Sequence, residues 1–117
     1  MTHFKVEIQL PLYFNPEKGI REKVPLTLIH ETYYGLLDLA GGINVSPQPI
    51  FGAWKCPETD KKYFDKCLVF TVLVESEDKM TISNVEKVKQ LISYKKVLKK
   101  RFKQKEIFMV ATRCIWL

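Results

Sequence analysis

Lys89, Lys96, Lys100 and Lys103 recur at intervals that keep one side of a helix in register when the chain turns about 100° per residue. A stripe of this kind can neutralise phosphates without reading bases, so the association it supports is salt-sensitive and sequence-independent. Lysine is also a good helix former on a solvated face, which gives the same pattern a purely structural use. The stripe lies within a longer run: from Lys87 to Lys105 nine residues are basic and none is acidic. The rest of the chain holds ten basic and thirteen acidic residues, so the net charge of +6 is confined to one segment.

Other chemistries lack their residues. Cys56 follows Lys55, and a neighbouring positive charge lowers a thiol pKa, but no histidine is placed by sequence to activate it. Cys67 and Cys114 lie in apolar stretches, where they read as small core residues. The three cysteines form no close pair, and His30 has no ligating partner four residues on, so the sequence assigns no metal site. Glu31 and Asp38, seven apart, can share a helix face but read as ordinary exposed acids. Glycine-rich phosphate loops, nucleophile elbows and HExxH motifs are absent, as is an acidic cluster suited to two metal ions. Tyr13, Phe14, Phe51 and Trp54 stand near strand ends and turns. The glycine and aromatic run by which base-stacking modules are recognised is missing from Cys67 to Val74, which points these aromatics to core or subunit contact. No catalytic residue and no cofactor is assigned, and whether the protein is an enzyme stays open.

The elements that carry these residues follow from hydrophobic period. Phe4, Val6, Ile8 and Leu10 alternate with polar residues, the pattern of a strand that Pro11 ends or bends. Asn15 to Lys23 reads as a solvated loop with Pro16 and Gly19 as turn formers. Pro25 suits a first helical position, and Leu26, Ile29, Tyr33, Leu36, Leu37 and Ala40 repeat at helical spacing up to Gly41-Gly42, which predicts a helix over 25–40. An extended segment resumes at Ile43 and runs to Trp54; Pro47 and Pro49 suit an edge or bulged strand. Cys56 to Lys62 predicts a hairpin connection into a strand over 64–75, whose Cys67–Val74 run is apolar on both faces and marks a central strand. Thr81 or Ser83 is positioned to cap a second helix to about Gln104, with Val88, Leu91, Leu98 and Phe102 on its apolar face and Tyr94 beside them. Ile107 to Trp116 predicts the last strand.

A chain of 117 residues, 46% apolar and 27% charged, has the composition of one globular domain spanning 1–117. Odd cysteine usage, with no apolar leader after Met1-Thr2-His3-Phe4, fits a reducing compartment and a cytoplasmic location. The longest apolar stretch, Leu68 to Val74, is far short of the roughly 20 residues that span a bilayer. No membrane partner is expected.

The order β-α-β-β-α-β is that of the split βαβ, an α+β ferredoxin-like sandwich in which two helices cover one face of a four-stranded antiparallel sheet. Gly41-Gly42-Ile43-Asn44-Val45-Ser46-Pro47, then Gly52-Ala53-Trp54, then an apolar strand, resembles small bacterial ferredoxin-like proteins of unknown function. That resemblance implies a fold and self-association through the sheet, with Gly42 at the helix stop, Gly52 in a close turn and Trp54 packed across the hairpin.

Three functional expectations follow. The first is an interaction module, a homodimer paired through apolar strands and open to a further protein partner, because an uncovered sheet face exposes more apolar surface than a monomer carries. The second is a small-molecule binder or cofactor-free enzyme with a cavity between paired sheets, lined by Tyr13, Thr71 and Arg113. The third is non-specific binding of nucleic acid or other anions through Lys89, Lys96, Lys100 and Lys103.

Overall fold

The alternation in Phe4–Leu10 does form a strand: in a computed structural model that describes residues 2–14, 22–46, 48–77 and 81–117, strand β1 spans Thr2–Pro11. It is followed by helix α1 (Leu26–Ala40), strands β2 (Asn44–Val45), β3 (Ile50–Lys55) and β4 (Lys62–Ser76), a 3-10 turn (Ile82–Asn84), helix α2 (Glu86–Arg101) and strand β5 (Phe108–Ile115). The protein is α+β, with two helices and one open antiparallel sheet.

Hydrogen-bonded neighbours in the sheet run β2-β4-β1-β5, with β3 also paired to β4. Five strands thus replace the four expected, because the second expected strand is broken. Asn44 and Val45 face Thr71 and Phe70, whereas Ile50 faces Cys67. Four residues, 46–49, therefore stand against two, 68 and 69, and the ladder slips by two residues between β2 and β3. Prolines cannot donate to a ladder, and Pro49 sits in this break; Pro47 lies outside the described residues. Cys67 pairs with Pro11 on one side and Ile50 on the other, so β3 continues the same flank of β4 that β2 occupies. The apolar Cys67–Val74 run is central, as expected, between β1 and β2.

One face of the sheet holds the core. Phe4, Val6, Ile8 and Leu10 of β1 and Phe70, Val72 and Val74 of β4 are buried there, under Ile29, Leu36 and Ala40 of α1 and Val88, Leu91 and Leu98 of α2. The i, i+3, i+7, i+11 spacing of Ile29, Thr32, Leu36 and Ala40 puts them on one helix stripe, and that stripe is the buried one.

The ends of both helices differ from expectation in their details. Pro25 is the residue before α1, at φ −60° and ψ 143°, and Leu26 is first in the helix. Gly41, at φ 84°, makes the C-terminal stop and donates its N–H to the Leu37 carbonyl at 2.8 Å; Gly42 does not carry that conformation. Thr81 precedes only the 3-10 turn, and Ser83 lies inside it. The residue that precedes α2 is Val85, which offers no side-chain cap but is buried. Burial of an apolar anchor decides that helix start in place of a hydroxyl.

Candidate functional site

The sheet's second face carries no helix among the described residues, and the ladders show what it displays. Residues directly opposite in an antiparallel pair share a face, so three rows cross the sheet: Val69–Gln9–Phe108, Thr71–Glu7–Val110 and Leu73–Lys5–Thr112. On either side of β1, β4 contributes Val69 and Leu73, and β5 contributes Phe108 at 48% and Val110 at 40% exposure. Between them β1 contributes His3, Lys5, Glu7 and Gln9. Lys5 Nζ and Glu7 Oε1 lie 4.0 Å apart, and the His3 and Trp116 rings are 5.6 Å apart. The face carries a polar stripe along β1, with mainly apolar residues on either side interrupted by Thr71 and Thr112.

The cavity candidates are not gathered on that face. Thr71 is on it, half-buried. Arg113 pairs with Phe4 and therefore projects on the helix side, where its guanidinium sits 5.2 Å over the Phe4 ring. Tyr13 lies past the end of β1, in an isolated bridge with Lys23. The other residues of the expected loop, 15–21, lie outside the described residues. Gly52 is within β3 opposite Asp65, not in a turn; Trp54 pairs with Tyr63 through its backbone, and its side chain lies outside the described set.

The lysine stripe is partly formed. Lys89, Lys96 and Lys100 are exposed on α2. Lys103 leaves the helix: it follows α2 at φ 51°, and its ammonium lies 4.9 Å over the Phe14 ring. Two other lysines of the helix, Lys95 and Lys99, converge on Glu106 Oε1 at 2.7 and 3.4 Å. Hydrogen bonds from Lys95 and from the Ile107 N–H hold the Glu106 carboxyl well below the usual range, at about 2. Among the described residues Lys89, Lys96 and Lys100 form no ion pair, and all three are exposed.

Compared with protein-family models, with curated proteins and with solved structures, the chain matches none.

A third constellation has no signature in the sequence. Arg101 Nη1 donates to Thr32 Oγ1 at 2.9 Å and to Tyr94 Oη at 3.0 Å, and Arg101 Nε is 3.8 Å from Glu31 Oε2. Thr32 is fully buried and donates its own proton to the Leu28 carbonyl at 2.8 Å. The four side chains clamp α1 to α2, and no buried side-chain polar atom among the described residues is left without a hydrogen-bond partner. The one hint in the sequence is the polar Thr32 on an otherwise apolar stripe. Beside this clamp an open groove of about 370 Å³ runs past Lys89, Gln90, Ser93 and Tyr94.

Cys56 is half-buried at the hairpin turn. Its thiol is pulled below the ordinary value by a hydrogen bond from the Thr59 hydroxyl first, then by the backbone N–H groups of Glu58 and Thr59. Lys55 is turned instead to Asp60, at 3.5 Å. The described residues hold no group of three or more potential metal ligands, and none of their helices is long and apolar enough to cross a membrane.

Proposed function

We propose that the protein is an interaction module that self-associates through its sheet. The observation that supports this reading is the gathering of exposed apolar side chains on one flank of the sheet: Phe108, Val110, Ile115 and Trp116 are 40–80% exposed along the last strand and just past it. Phe108 and Val110 stand on the open face and Ile115 on the helix side, so this one strand exposes apolar side chains on both faces, a contact waiting for a partner. The finer fold reading accords with it. If β2 and β3 are counted as one interrupted strand, the order second-third-first-last is that of a ferredoxin-like split βαβ sandwich, which leaves one sheet face and two edges for partners.

Light scattering of the purified protein at low and high salt tests the proposal. A dimer mass that persists at high salt is the expected outcome, since apolar contact strengthens where charge contact is screened. A monomer at high micromolar concentration overturns it.

A second reading, binding of nucleic acid or another polyanion, is favoured by one contrast within α2: Lys95 and Lys99 are committed to Glu106, whereas Lys89, Lys96 and Lys100 are not. It uses a different surface from the sheet and does not compete with self-association.

A further inference from the structure

The sheet offers a second copy its open face and two edges, and they are not equivalent: the edge formed by β2 and β3 is interrupted at residues 46–49 and carries Pro49 and Lys55, which guard it. Pairing face to face would bury His3, Lys5, Glu7 and Gln9 along the middle of the contact. Charged and amide side chains taken out of water without new partners oppose association. The outer edge of β5 has no such stripe: from Phe108 to Leu117 the only charged residue is Arg113, and proline and lysine are absent.

Backbone geometry shows what that edge presents. Val69 accepts the Ser46 N–H at its carbonyl (2.9 Å) and gives its own N–H to Ser46 Oγ (3.0 Å), so its backbone is turned toward the β2 flank, away from β1. Its partner on β1, Gln9, is then turned toward β5, and by the alternation of antiparallel ladders so are His3, Lys5 and Glu7. Their partners on β5 are Phe108, Val110, Thr112 and Cys114. The residues that alternate with these, Met109, Ala111, Arg113 and Ile115, direct their backbone N–H and C=O groups outward, where no further strand is paired among the described residues. An edge strand of eight residues guarded by one charge, Arg113, and by no proline, lysine or bulge, is a template for another strand.

We infer that two copies join edge to edge, β5 against β5 in antiparallel order, so that their sheets run on as one with the helices of both on the same side. This rests on the self-association reading and names its surface. The occupant is a second copy because the strand is self-complementary. A two-fold axis normal to the sheet sets residues of equal parity opposite one another. Centred on Thr112, it puts Met109 against Ile115 and the small Ala111 against Arg113, so that like charges do not meet. The exposed Phe108, Val110 and Ile115 side chains flank the new seam and gain cover from it.

Ala111→Pro tests the edge. Proline is tolerated where a strand's N–H faces outward, so this substitution removes a donor that β1 does not use and sets a ring in the path of a partner strand. Val69→Lys, in the middle of the open face, tests the alternative surface. Light scattering is expected to give a dimer for the unmodified protein and for Val69→Lys, and a twofold lower mass for Ala111→Pro. A monomeric unmodified protein overturns both this inference and the self-association reading. A dimer that survives Ala111→Pro but is halved by Val69→Lys overturns the edge while self-association stands. If Ala111→Pro fails to fold, amide hydrogen exchange in the unmodified protein decides: Met109 and Ala111 amides that slow as concentration drives association support the edge, and amides that exchange freely in the dimer overturn it.

Discussion

Arg101 and Thr32, 69 residues apart in sequence, meet at 2.9 Å and join the last turn of α2 to the middle of α1. The arginine is well placed electrostatically, since a cation at a helix C-terminus is favoured by the macrodipole. Thr32 is the one polar residue on the buried stripe of α1, and its hydroxyl accepts from Arg101 while donating to Leu28. The buried hydroxyl therefore costs little in lost hydration, because both of its roles are filled.

Removing either partner should show this. Thr32→Val keeps the shape and loses the acceptor, and Arg101→Met keeps much of the stem and loses the donor. Each is expected to cost about 1.5–3 kcal/mol of unfolding free energy in urea, the range for a charged group's hydrogen bond. The double variant should cost less than the sum, since the second change removes a bond that is already gone. Strict additivity would show that the Arg101–Thr32 hydrogen bond carries no energy.

Gly35 explains itself through the same clamp. A Cβ built there would stand 2.5 Å from Tyr94 Oη and 3.2 Å from Tyr94 Cζ. In an exposed helix Gly→Ala stabilises by up to about 1 kcal/mol, but here the phenol that Arg101 holds must move. Gly35→Ala is expected to lower the thermal midpoint. In a Tyr94→Leu background, where the ring is gone, the same change should raise it. A rise in both backgrounds would show that the tyrosine yields freely.

The contrast between what can and cannot be read in the sequence follows from range. Both helices and β1 follow from period, because Phe4–Leu10, Leu26–Ala40 and Val88–Phe102 bury one side and expose the other, while β4 and β5 are legible as short apolar runs, Cys67–Val74 and Ile107–Trp116. The slip between β2 and β3 does not, since a register is fixed by the partner strand, here Phe70 and Cys67, and the two prolines announce only that a break is possible. Lys103 falls off the stripe because its left-handed turn past Phe102 ends the helical phase. The Arg101–Thr32 clamp is invisible for want of any local pattern. The lysine stripe is legible, but which lysines are neutralised depends on Glu106, three residues past Lys103 and outside the helix.

Glu106 also sets a pH dependence. Its folded-state pKa is about 2, lowered first by the Lys95 hydrogen bond, whereas an unfolded carboxyl titrates near the ordinary value of about 4.3. Between these values the unfolded state binds more protons, so stability rises with pH there and this contribution is lost as pH falls from about 5 toward 2. The side chain is 69% exposed, so solvent screens the effect and its size is small. The sharper readout is the carboxyl's own titration by carbon-detected NMR: a midpoint near 2 in the unmodified protein, moving up toward the ordinary value in Lys95→Met. A midpoint unmoved by that substitution would assign the shift to the Ile107 N–H and Lys99 instead.

The same ion pairs divide the basic helix into two classes of lysine, and binding to a generic single-stranded nucleic acid tells whether the division matters. If the exposed stripe binds phosphates, Lys96→Glu with Lys100→Glu should weaken the association and flatten its dependence on salt, by roughly 0.7 in the logarithmic slope for each phosphate no longer neutralised. Lys95→Ala with Lys99→Ala removes as many cations, but these already share the Glu106 carboxylate, so their removal frees an acid and should change the slope less. Equal weakening from both pairs would mean that net charge alone drives binding and that the stripe has no special role. No binding by the unmodified protein at low salt would leave α2 as a solvated face, its lysines serving the helix and its partner surface lying on the sheet.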